Sequence, residues 1–142
     1  MLEVQKDVIG EDYKKLINIL SKHCNRFAFV ENRQMMENEK KRLNHIDNIT
    51  AKIKEYLIKT SIQGEWETTV LGAGNAYVFY FEMNDATSEF LKAKSNSLFG
   101  WSYPKLPEDL MFYQNKKCLL AACSHEKFFK VDETVWNSFL LS

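Results

Sequence analysis

The segment AYVFYFEM, residues 76–83, is apolar or aromatic over almost its whole length. In an extended chain its three odd-numbered aromatic residues would lie on one face, with Val78 and Tyr80 on the other, because successive side chains of a strand point to opposite faces. A strand that is apolar on both faces is typical of the middle of a sheet that is covered on both sides. The segment therefore predicts a central strand.

Strand patterns continue on both sides of this segment. Trp66, Thr68 and Val70 alternate with Glu67 and Thr69, which predicts a half-buried strand. The glycine-containing residues that follow would join this strand to the central one as a hairpin loop. Further strands are predicted at residues 110–114, 118–123 and 128–131.

The N-terminal part of the chain has a helical pattern instead. Apolar residues recur at steps of three and four in two stretches, which begin at Tyr13 and Leu43. Neither Gly nor Pro occurs in residues 11–63, which favours helix. We therefore predict two N-terminal helices, the second over about residues 36–60, with residues 27–30 as a short extended link.

These patterns predict one α+β domain that spans residues 1–142. Its helical part would be residues 1–63 and its sheet part residues 64–142. The sheet would be antiparallel, with about five strands, and would pack against the two N-terminal helices. A short middle helix capped by Asp85 and a C-terminal helix capped by Asp132 complete the prediction.

The charged side chains cancel overall but are unevenly distributed along the chain. Residues 1–60 hold 12 basic and 9 acidic side chains, whereas residues 61–142 hold 7 and 10. A net charge of zero argues against a general nucleic-acid binder, which carries a basic excess. A hydrophobic fraction of 45% excludes a disordered chain. The acidic, aromatic-rich C-terminal part leaves room for a localised docking surface.

The patterns at the N-terminus and among the cysteines predict a cytoplasmic protein. Residues 1–10 mix charged with apolar side chains and so differ from a secretory signal, and the longest apolar runs are far shorter than a membrane span. The three cysteines form no CxxC pair, which is typical of a reducing compartment. We therefore expect a cytoplasmic protein that binds neither membrane nor nucleic acid.

The most reactive group of side chains lies in Cys123-Ser124-His125-Glu126. A thiol, an imidazole and a carboxylate are the groups that nucleophilic catalysis needs, and Cys123 and His125 would share one face of a strand. A small cysteine hydrolase centred on Cys123, His125 and Glu126 is thus one alternative. A strand end at which His125 or Glu126 satisfies backbone groups of a turn is the simpler interpretation.

Patterns for other kinds of site are weak. The His and Cys residues show none of the spacings of zinc sites, such as HxxxH, HExxH or CxxC. Gly72-Ala73-Gly74 precedes a predicted strand rather than a helix, so no helix N-terminus would hold a phosphate there. Basic residues of the second predicted helix alternate with acidic ones, as on a solvated helix face. We therefore expect no metal ion and no cofactor.

Residues 95–109 form the longest irregular segment of the predicted fold and are rich in aromatic side chains. Irregular segments of about 15 residues are uncommon in small domains and are often functional. Phe99, Trp101 and Tyr103 would be suitable interface anchors on a constrained loop. Alternatively, the segment folds back and covers one end of the sheet.

The sequence LPEDLMFY, residues 106–113, is followed by a short turn, a predicted strand and Ser124-His125-Glu126. This order resembles a pattern in small bacterial immunity proteins, the antitoxins that are encoded beside polymorphic or LXG-type toxins. The preceding segments WETTV, residues 66–70, and NAYVFY, residues 75–80, fit the same pattern, so the resemblance covers residues 66–131. It implies a non-enzymatic protein that binds and neutralises one cognate toxin.

We therefore expect a binding protein that holds a toxin domain through residues 95–109 and nearby acidic side chains. A basic nuclease domain is one candidate toxin, because an acidic surface would mimic phosphate. A homodimeric adaptor that pairs through the helix predicted at residues 36–60 is a further alternative. The predicted contact residues are Phe99, Trp101, Tyr103, Glu108, Asp109 and Glu126.

Overall fold

A computed structural model describes all residues, 1–142, and confirms an α+β fold, although the large antiparallel sheet has seven strands rather than five. Its strands are β1 (Leu2–Val4), β2 (Arg26–Asn32), β3 (Leu57–Gln63), β6 (Ala76–Glu82), β7 (Glu108–Gln114), β8 (Lys117–Cys123) and β9 (Phe128–Val131). A separate two-stranded ribbon consists of β4 (Glu65–Trp66) and β5 (Thr69–Val70). The helices are α1 (Glu11–His23), α2 (Glu39–Ile49), α3 (Asp85–Lys94) and α4 (Glu133–Leu141).

The strand order is β1-β9-β8-β7-β2-β6-β3, and every neighbouring pair is antiparallel. β6 lies between β2 and β3, so the strand predicted at residues 76–83 is an interior strand, but it is next to the edge strand β3 and not in the middle of the sheet. β7, β8 and β9 follow one another as hairpins at the predicted positions. Asn115 forms the first of these turns with a φ of 56°, a left-handed conformation that Asn adopts more readily than most residues.

The helices α3 and α4 begin with side-chain caps. Asp132 caps α4 as predicted, because its carboxylate accepts hydrogen bonds from the backbone N–H groups of Thr134 and Val135. The cap of α3 is Asn84 rather than Asp85. The Asn84 side chain accepts a hydrogen bond from the backbone N–H of Thr87, whose hydroxyl bonds back to the backbone of Asn84.

The N-terminal part is less helical than predicted. α1 forms as expected, but the residues predicted as a short link belong to β2, a strand of full length in the middle of the sheet. The second helix ends at Ile49, and the 3-10 helix Ala51–Tyr56 leads into β3. Ile58, Thr60 and Ile62 alternate with polar neighbours, and β-branched residues in this pattern favour a strand. The dimer predicted to pair through a helix at residues 36–60 therefore lacks that helix.

The hairpin before the central strand also differs from the prediction. The partner of β6 is β3, with Gln63 opposite Ala76, and the residues between these two strands fold into the β4–β5 ribbon. The backbone N–H of Leu71 donates to the carbonyl of Gly64 at 2.9 Å and closes the base of the ribbon. We call residues 64–71 the flap.

The two faces of the sheet are unequally covered. Residues of α1, α3 and α4 pack on one face and form with it a core of 27 buried residues. The other face has a core of only seven buried residues, which include the small side chains of Ala28, Ala76 and Ala121. Two partly buried flap residues, Trp66 and Leu71, pack against this smaller core.

The segment between α3 and β7 folds back onto the helix-covered face, as the alternative interpretation of residues 95–109 expected. Trp101 is completely buried, and its ring lies nearly parallel to that of Phe29 with the ring centres 6.2 Å apart. The Trp101 indole N–H donates to the Tyr13 hydroxyl at 2.9 Å, and this hydroxyl donates to the carbonyl of Leu91 at 2.6 Å. Trp101 is thus a core residue, and the prediction that it anchors a partner is wrong for this conformation.

An ion pair between Glu31 on β2 and Arg42 on α2 fixes the same segment from outside. Arg42 Nε donates to Glu31 Oε1 at 2.5 Å and Nη2 donates to Oε2 at 3.0 Å. The guanidinium also donates to the carbonyls of Pro104 and Leu106, and it lies 4.6 Å from the centre of the Tyr103 ring. Only 2% of the Glu31 side chain and 10% of the Arg42 side chain are exposed. One side chain therefore connects a strand, a helix and the irregular segment.

Replacement of Arg42 tests this connection. Arg42→Met should lower the free energy of unfolding by about 3–5 kcal/mol, because the Glu31 carboxylate would stay buried without its counterion. Urea denaturation followed by circular dichroism measures the change. Lys41→Met, at the exposed neighbouring position, should change the stability by less than about 0.5 kcal/mol. The double variant Glu31→Leu/Arg42→Met should be more stable than Arg42→Met, and equal stability of the wild type and Arg42→Met would contradict this role.

Candidate functional site

The flap lies over the less covered face of the sheet, where its tryptophan makes a long-range contact. The Trp66 indole N–H donates to Asp109 Oδ2 at 3.0 Å, between residues 43 positions apart in the sequence. Asp109 lies near the start of β7, so this bond attaches the flap to the end of a strand that the sequence places far away. Trp66 lines two cavities, and Asp109 lines one of them.

The buried carboxylate of Asp109 connects the flap to Ser124, the residue that follows β8. The residue is only 3% exposed and has a φ of 57°, a left-handed conformation that Asp tolerates better than most residues. Its second carboxylate oxygen accepts a hydrogen bond from the backbone N–H of Ser124 at 3.0 Å. Burial raises the pKa of Asp109, while the hydrogen bonds from Trp66 and Ser124 act in the opposite direction. Asp109 was predicted as a contact residue, and the structure gives it a positioning role instead.

A first cavity, of about 200 Å³, lies between the flap and the ends of β7 and β8. Glu108 is partly buried in its lining, whereas His125 and Glu126 are exposed. The structure thus brings together Glu108, Asp109 and Glu126, three of the predicted contact residues, with the predicted Cys123–His125 pair. Side chains in this lining include Trp66, Leu71, Glu108, Cys123, His125 and Glu126.

The carboxyl group of Glu108 has an altered acidity. Its pKa is raised from 4.5 to about 7, mainly by burial and then by the neighbouring Asp109 carboxylate. Glu31 adds to the rise, while His125 and Arg42 oppose it. Arg42 is already engaged by Glu31 and by backbone carbonyls. Arg42 is therefore not available to neutralise the carboxyl groups at the first cavity.

A second cavity, of about 460 Å³, also has Trp66 in its lining. Its walls combine the carboxylates of Glu65 and Glu67 with the rings of Tyr80 and Tyr113, whose centres are 6.1 Å apart. Burial, with contributions from Cys118 and Glu67, raises the pKa of the Tyr113 hydroxyl, so that this group stays neutral. The second cavity thus presents aromatic faces together with negative charge.

The linings of the two cavities have one feature in common. Together they include five carboxyl groups and neither Lys nor Arg. Nearby, Lys59 Nζ lies 4.9 Å from the centre of the Tyr80 ring, which indicates that the aromatic wall accepts an ammonium group. The five carboxyl groups belong to Glu65, Glu67, Glu108, Asp109 and Glu126.

The Cys123 thiol is poorly suited to act as a nucleophile. Burial raises its pKa, and the nearby carboxylates of Asp109 and Glu126 raise it further. A thiol with a raised pKa is protonated at neutral pH, whereas nucleophilic attack requires the thiolate. The hydroxyl of Ser124 is buried, has no hydrogen-bond partner and is not part of the lining of either cavity, so no base is placed to activate it.

The remaining predicted contact residues lie elsewhere on the molecule. Phe99 packs against Phe129 with the ring centres 6.2 Å apart and lines a separate pocket. Tyr103 lies under the Arg42 guanidinium beside α2. The six predicted residues therefore do not form one surface, and only Glu108 and Glu126 combine exposure with a place at the first cavity.

Sequence reasoning missed the most prominent features of the site, Trp66 and the aromatic wall of the second cavity. The sequence patterns place Trp66 in a half-buried strand, Tyr80 in the strand at residues 76–83 and Tyr113 in the strand at residues 110–114. A usable signal was nonetheless present, because Glu65 and Glu67 flank Trp66 in a segment bounded by Gly64 and Gly72. Charged residues around one large aromatic residue between glycines are typical of a short exposed turn.

Two further geometric findings concern metal ions and membranes. No group of three or more His, Cys, Asp or Glu side chains is arranged to hold a metal ion. No helix combines the length and apolar character needed to cross a bilayer.

The raised pKa of Glu108 predicts how stability depends on pH. A carboxyl group whose pKa is higher in the folded than in the unfolded chain stabilises the fold at low pH, and this contribution is lost as the pH rises from about 4.5 to about 7. Glu108→Gln, which mimics the protonated form, should therefore exceed the wild type in stability by about 1–2 kcal/mol at pH 8, after allowance for solvent screening, and match it at pH 4.

Urea denaturation at both pH values measures this difference. Glu89→Gln on α3 removes one exposed carboxylate and is the matched control, for which we expect the same pH dependence as in the wild type. If Glu108→Gln also kept the wild-type pH dependence, the electrostatic description of the first cavity would be wrong.

Comparison with known proteins adds no relative from which a function could be transferred. No protein-family model, curated protein or solved structure matches this chain. The function is therefore inferred from the chemistry of the flap and the two cavities beside it.

Proposed function

We propose that this chain is a non-enzymatic binding protein of the immunity type, which neutralises one toxin in the cytoplasm by direct contact through the flap and its two cavities. The observation that carries this proposal is the lining of the cavities, with five carboxyl groups, three aromatic rings and neither Lys nor Arg. The resemblance of residues 66–131 to immunity proteins supports the same function.

A basic side chain is the ligand that suits these linings. A guanidinium group stacks on Trp and Tyr rings and forms charge-assisted hydrogen bonds with carboxylates. Glu67 and Trp66 would provide both kinds of contact in the second cavity, and Glu108 and Glu126 would add charge at the first. A toxin domain that binds nucleic acid carries such basic residues on its active surface. Occupation of that surface would exclude its substrate.

Binding would also relieve an electrostatic cost that the free protein carries. The pKa of Glu108 is raised to about 7, so the cavity resists full ionisation of its carboxyl groups in the free state. A cation from the partner would favour the ionised form of Glu108 and thus release a proton on binding. The affinity for a basic partner should therefore rise as the pH increases through the pKa of Glu108.

The enzymatic alternative has less support. The Cys123 thiol would have to lose its proton beside Asp109 and Glu126, whose negative charges oppose thiolate formation. We therefore propose that Cys123, His125 and Glu126 contribute the shape and charge of a binding surface.

The proposal is tested by co-expression of this chain with the product of the adjacent gene. The expected results are a stable complex on size-exclusion chromatography and restored growth of cells that produce the adjacent protein. Neither complex nor protection would contradict the immunity function.

Two matched charge variants test the surface. Glu67→Gln/Glu126→Gln should reduce the association rate at low salt about tenfold or more and weaken its salt dependence, because two carboxylates that attract the basic partner are lost. Asp85→Asn/Glu89→Gln removes two exposed carboxylates from α3 and should leave the rate close to that of the wild type. Surface plasmon resonance measures both. Equal rates for the two variants would place the contact surface elsewhere.

A further inference from the structure

The second cavity is lined by aromatic residues from three separate parts of the chain. Trp66 belongs to the flap, Tyr80 to β6 and Tyr113 to β7. The rings of Tyr80 and Tyr113 are tilted by 49° with their centres 6.1 Å apart, so they form two walls of different direction rather than a stack. The volume of about 460 Å³ is in the range of cavities that hold small molecules.

The polar group of each of these side chains already has a hydrogen-bond partner. The Tyr80 hydroxyl donates to Gln63 Oε1 at 3.0 Å, and the Tyr113 hydroxyl donates to the sulfur of Met111 at 3.6 Å. The Trp66 indole N–H is engaged by the buried carboxylate near the start of β7. These bonds hold the three rings in place before any ligand arrives. The side chains therefore offer a ligand mainly their ring surfaces.

The exposed carboxylate of Glu67 adds negative charge to this aromatic lining. The pKa values of Tyr80 and Tyr113 are raised mainly by burial, and the charge of Glu67 contributes to the rise of both. This effect is consistent with a carboxylate close to the two rings. Glu67 belongs to none of the ion pairs of the protein, and neither Lys nor Arg lines the cavity. The negative charge of Glu67 is therefore available to a ligand.

One ring of the lining already contacts a cation of the protein itself. Lys59 Nζ lies 4.9 Å from the centre of the Tyr80 ring, within the distance over which the electrons of a ring attract a positive charge. Lys59 is exposed and is not part of the cavity lining. The contact shows that the environment of Tyr80 accepts a positive charge.

An ammonium group whose nitrogen carries only carbon substituents suits such a lining best. It has no N–H groups that require acceptors, so contact with ring surfaces satisfies it. The ammonium group of lysine, in contrast, is strongly hydrated and has three donors to satisfy. Proteins recognise quaternary ammonium groups through several aromatic rings that surround the cation.

We propose that the second cavity binds the quaternary ammonium group of a small molecule such as choline. The cation lies against the rings of Trp66, Tyr80 and Tyr113, and Glu67 balances its charge. The free protein binds this ligand without a partner, so the site does not depend on the toxin-binding function. Since a basic side chain of the toxin would occupy the same cavity, the two ligands exclude each other.

An NMR titration of the isotope-labelled protein with choline tests the site, because Trp66 is the only one of the three tryptophans that lines this cavity. The indole N–H signal of Trp66 should shift with a Kd of about 1 mM or below, while those of Trp101 and Trp136 stay in place. The absence of a Trp66 shift up to about 10 mM choline would overturn the proposal, as would a shift at Trp136 alone.

Two further ligands test which chemistry the cavity recognises. The neutral analogue of choline in which carbon replaces nitrogen has the same shape and should bind about tenfold or more weakly. Equal affinity of choline and this analogue would overturn a site for cations. A peptide with trimethyllysine carries the same cation on a protein segment and should bind no more tightly than choline. A preference of about tenfold or more for the peptide would overturn the assignment to a small molecule.

Variants of one tyrosine test the role of the ring. Tyr80→Leu should weaken choline binding about fivefold or more, because it keeps an apolar side chain but removes the ring. Tyr80→Phe restores a ring and should bind about threefold or more tightly than Tyr80→Leu. Tyr77→Leu is the control, since Tyr77 is a half-buried tyrosine of the same strand that lines neither cavity. Equal affinities of Tyr80→Leu and Tyr77→Leu, with both folded by circular dichroism, would overturn the proposal.

A variant of the exposed flap carboxylate tests the charge without disturbing the core. Glu67→Gln should weaken choline binding about threefold at low salt and leave binding of the neutral analogue close to that of the wild type. This result holds even if Tyr80→Leu does not fold. An unchanged affinity for choline would overturn the role of Glu67. Because no toxin is present in these titrations, their outcome is separate from that of the co-expression experiment.

Discussion

The guanidinium of Arg42 is the contact on which the arrangement of the chain depends. It neutralises Glu31, a carboxylate that β2 buries on the helix-covered face, and it binds the carbonyls of Pro104 and Leu106. These two residues lead directly into β7. The ion pair therefore positions the end of the irregular segment, and with it Glu108 and Asp109 at the start of β7. In this way a contact on one face of the sheet affects the side chains at the cavity on the other face.

The same ion pair explains the charge imbalance at the first cavity. Arg42 opposes the rise in the pKa of Glu108, but its hydrogen bonds are already used by Glu31 and the backbone. His125 is exposed and offers only partial compensation. Arg42 pairs with Glu31 and is not available to neutralise Glu108. The pair with Glu31 contributes more to stability, because an unpaired carboxylate at Glu31 would be almost fully buried. The proposed binding function uses the resulting excess of negative charge.

Hydrophobic periodicity predicted the helices and strands whose formation depends mainly on residues close together in the sequence. The strands from β6 to β9 and the amphipathic α1 are confirmed, although β6 lies beside the edge strand and not at the centre of the sheet. β3 was missed because Ile53, Tyr56 and Leu57 continue the helical spacing up to its first residue, and no glycine or proline marks the change. The candidate site was predicted only in part, through Glu108 and Glu126. The contact of Trp66 with Asp109 joins residues 43 positions apart, and neither composition nor periodicity contains information about such a pair.

The unequal covering of the two sheet faces has an evolutionary consequence. The large core lies on the helix-covered face, while the flap packs with two partly buried side chains against a core of only seven buried residues. Substitutions or insertions in the flap would therefore cost little folding free energy, provided that Trp66 keeps its bond to Asp109. If the flap binds the proposed partner, the residues that select this partner can change while the folding core stays constant, so that specificity can diverge within one architecture.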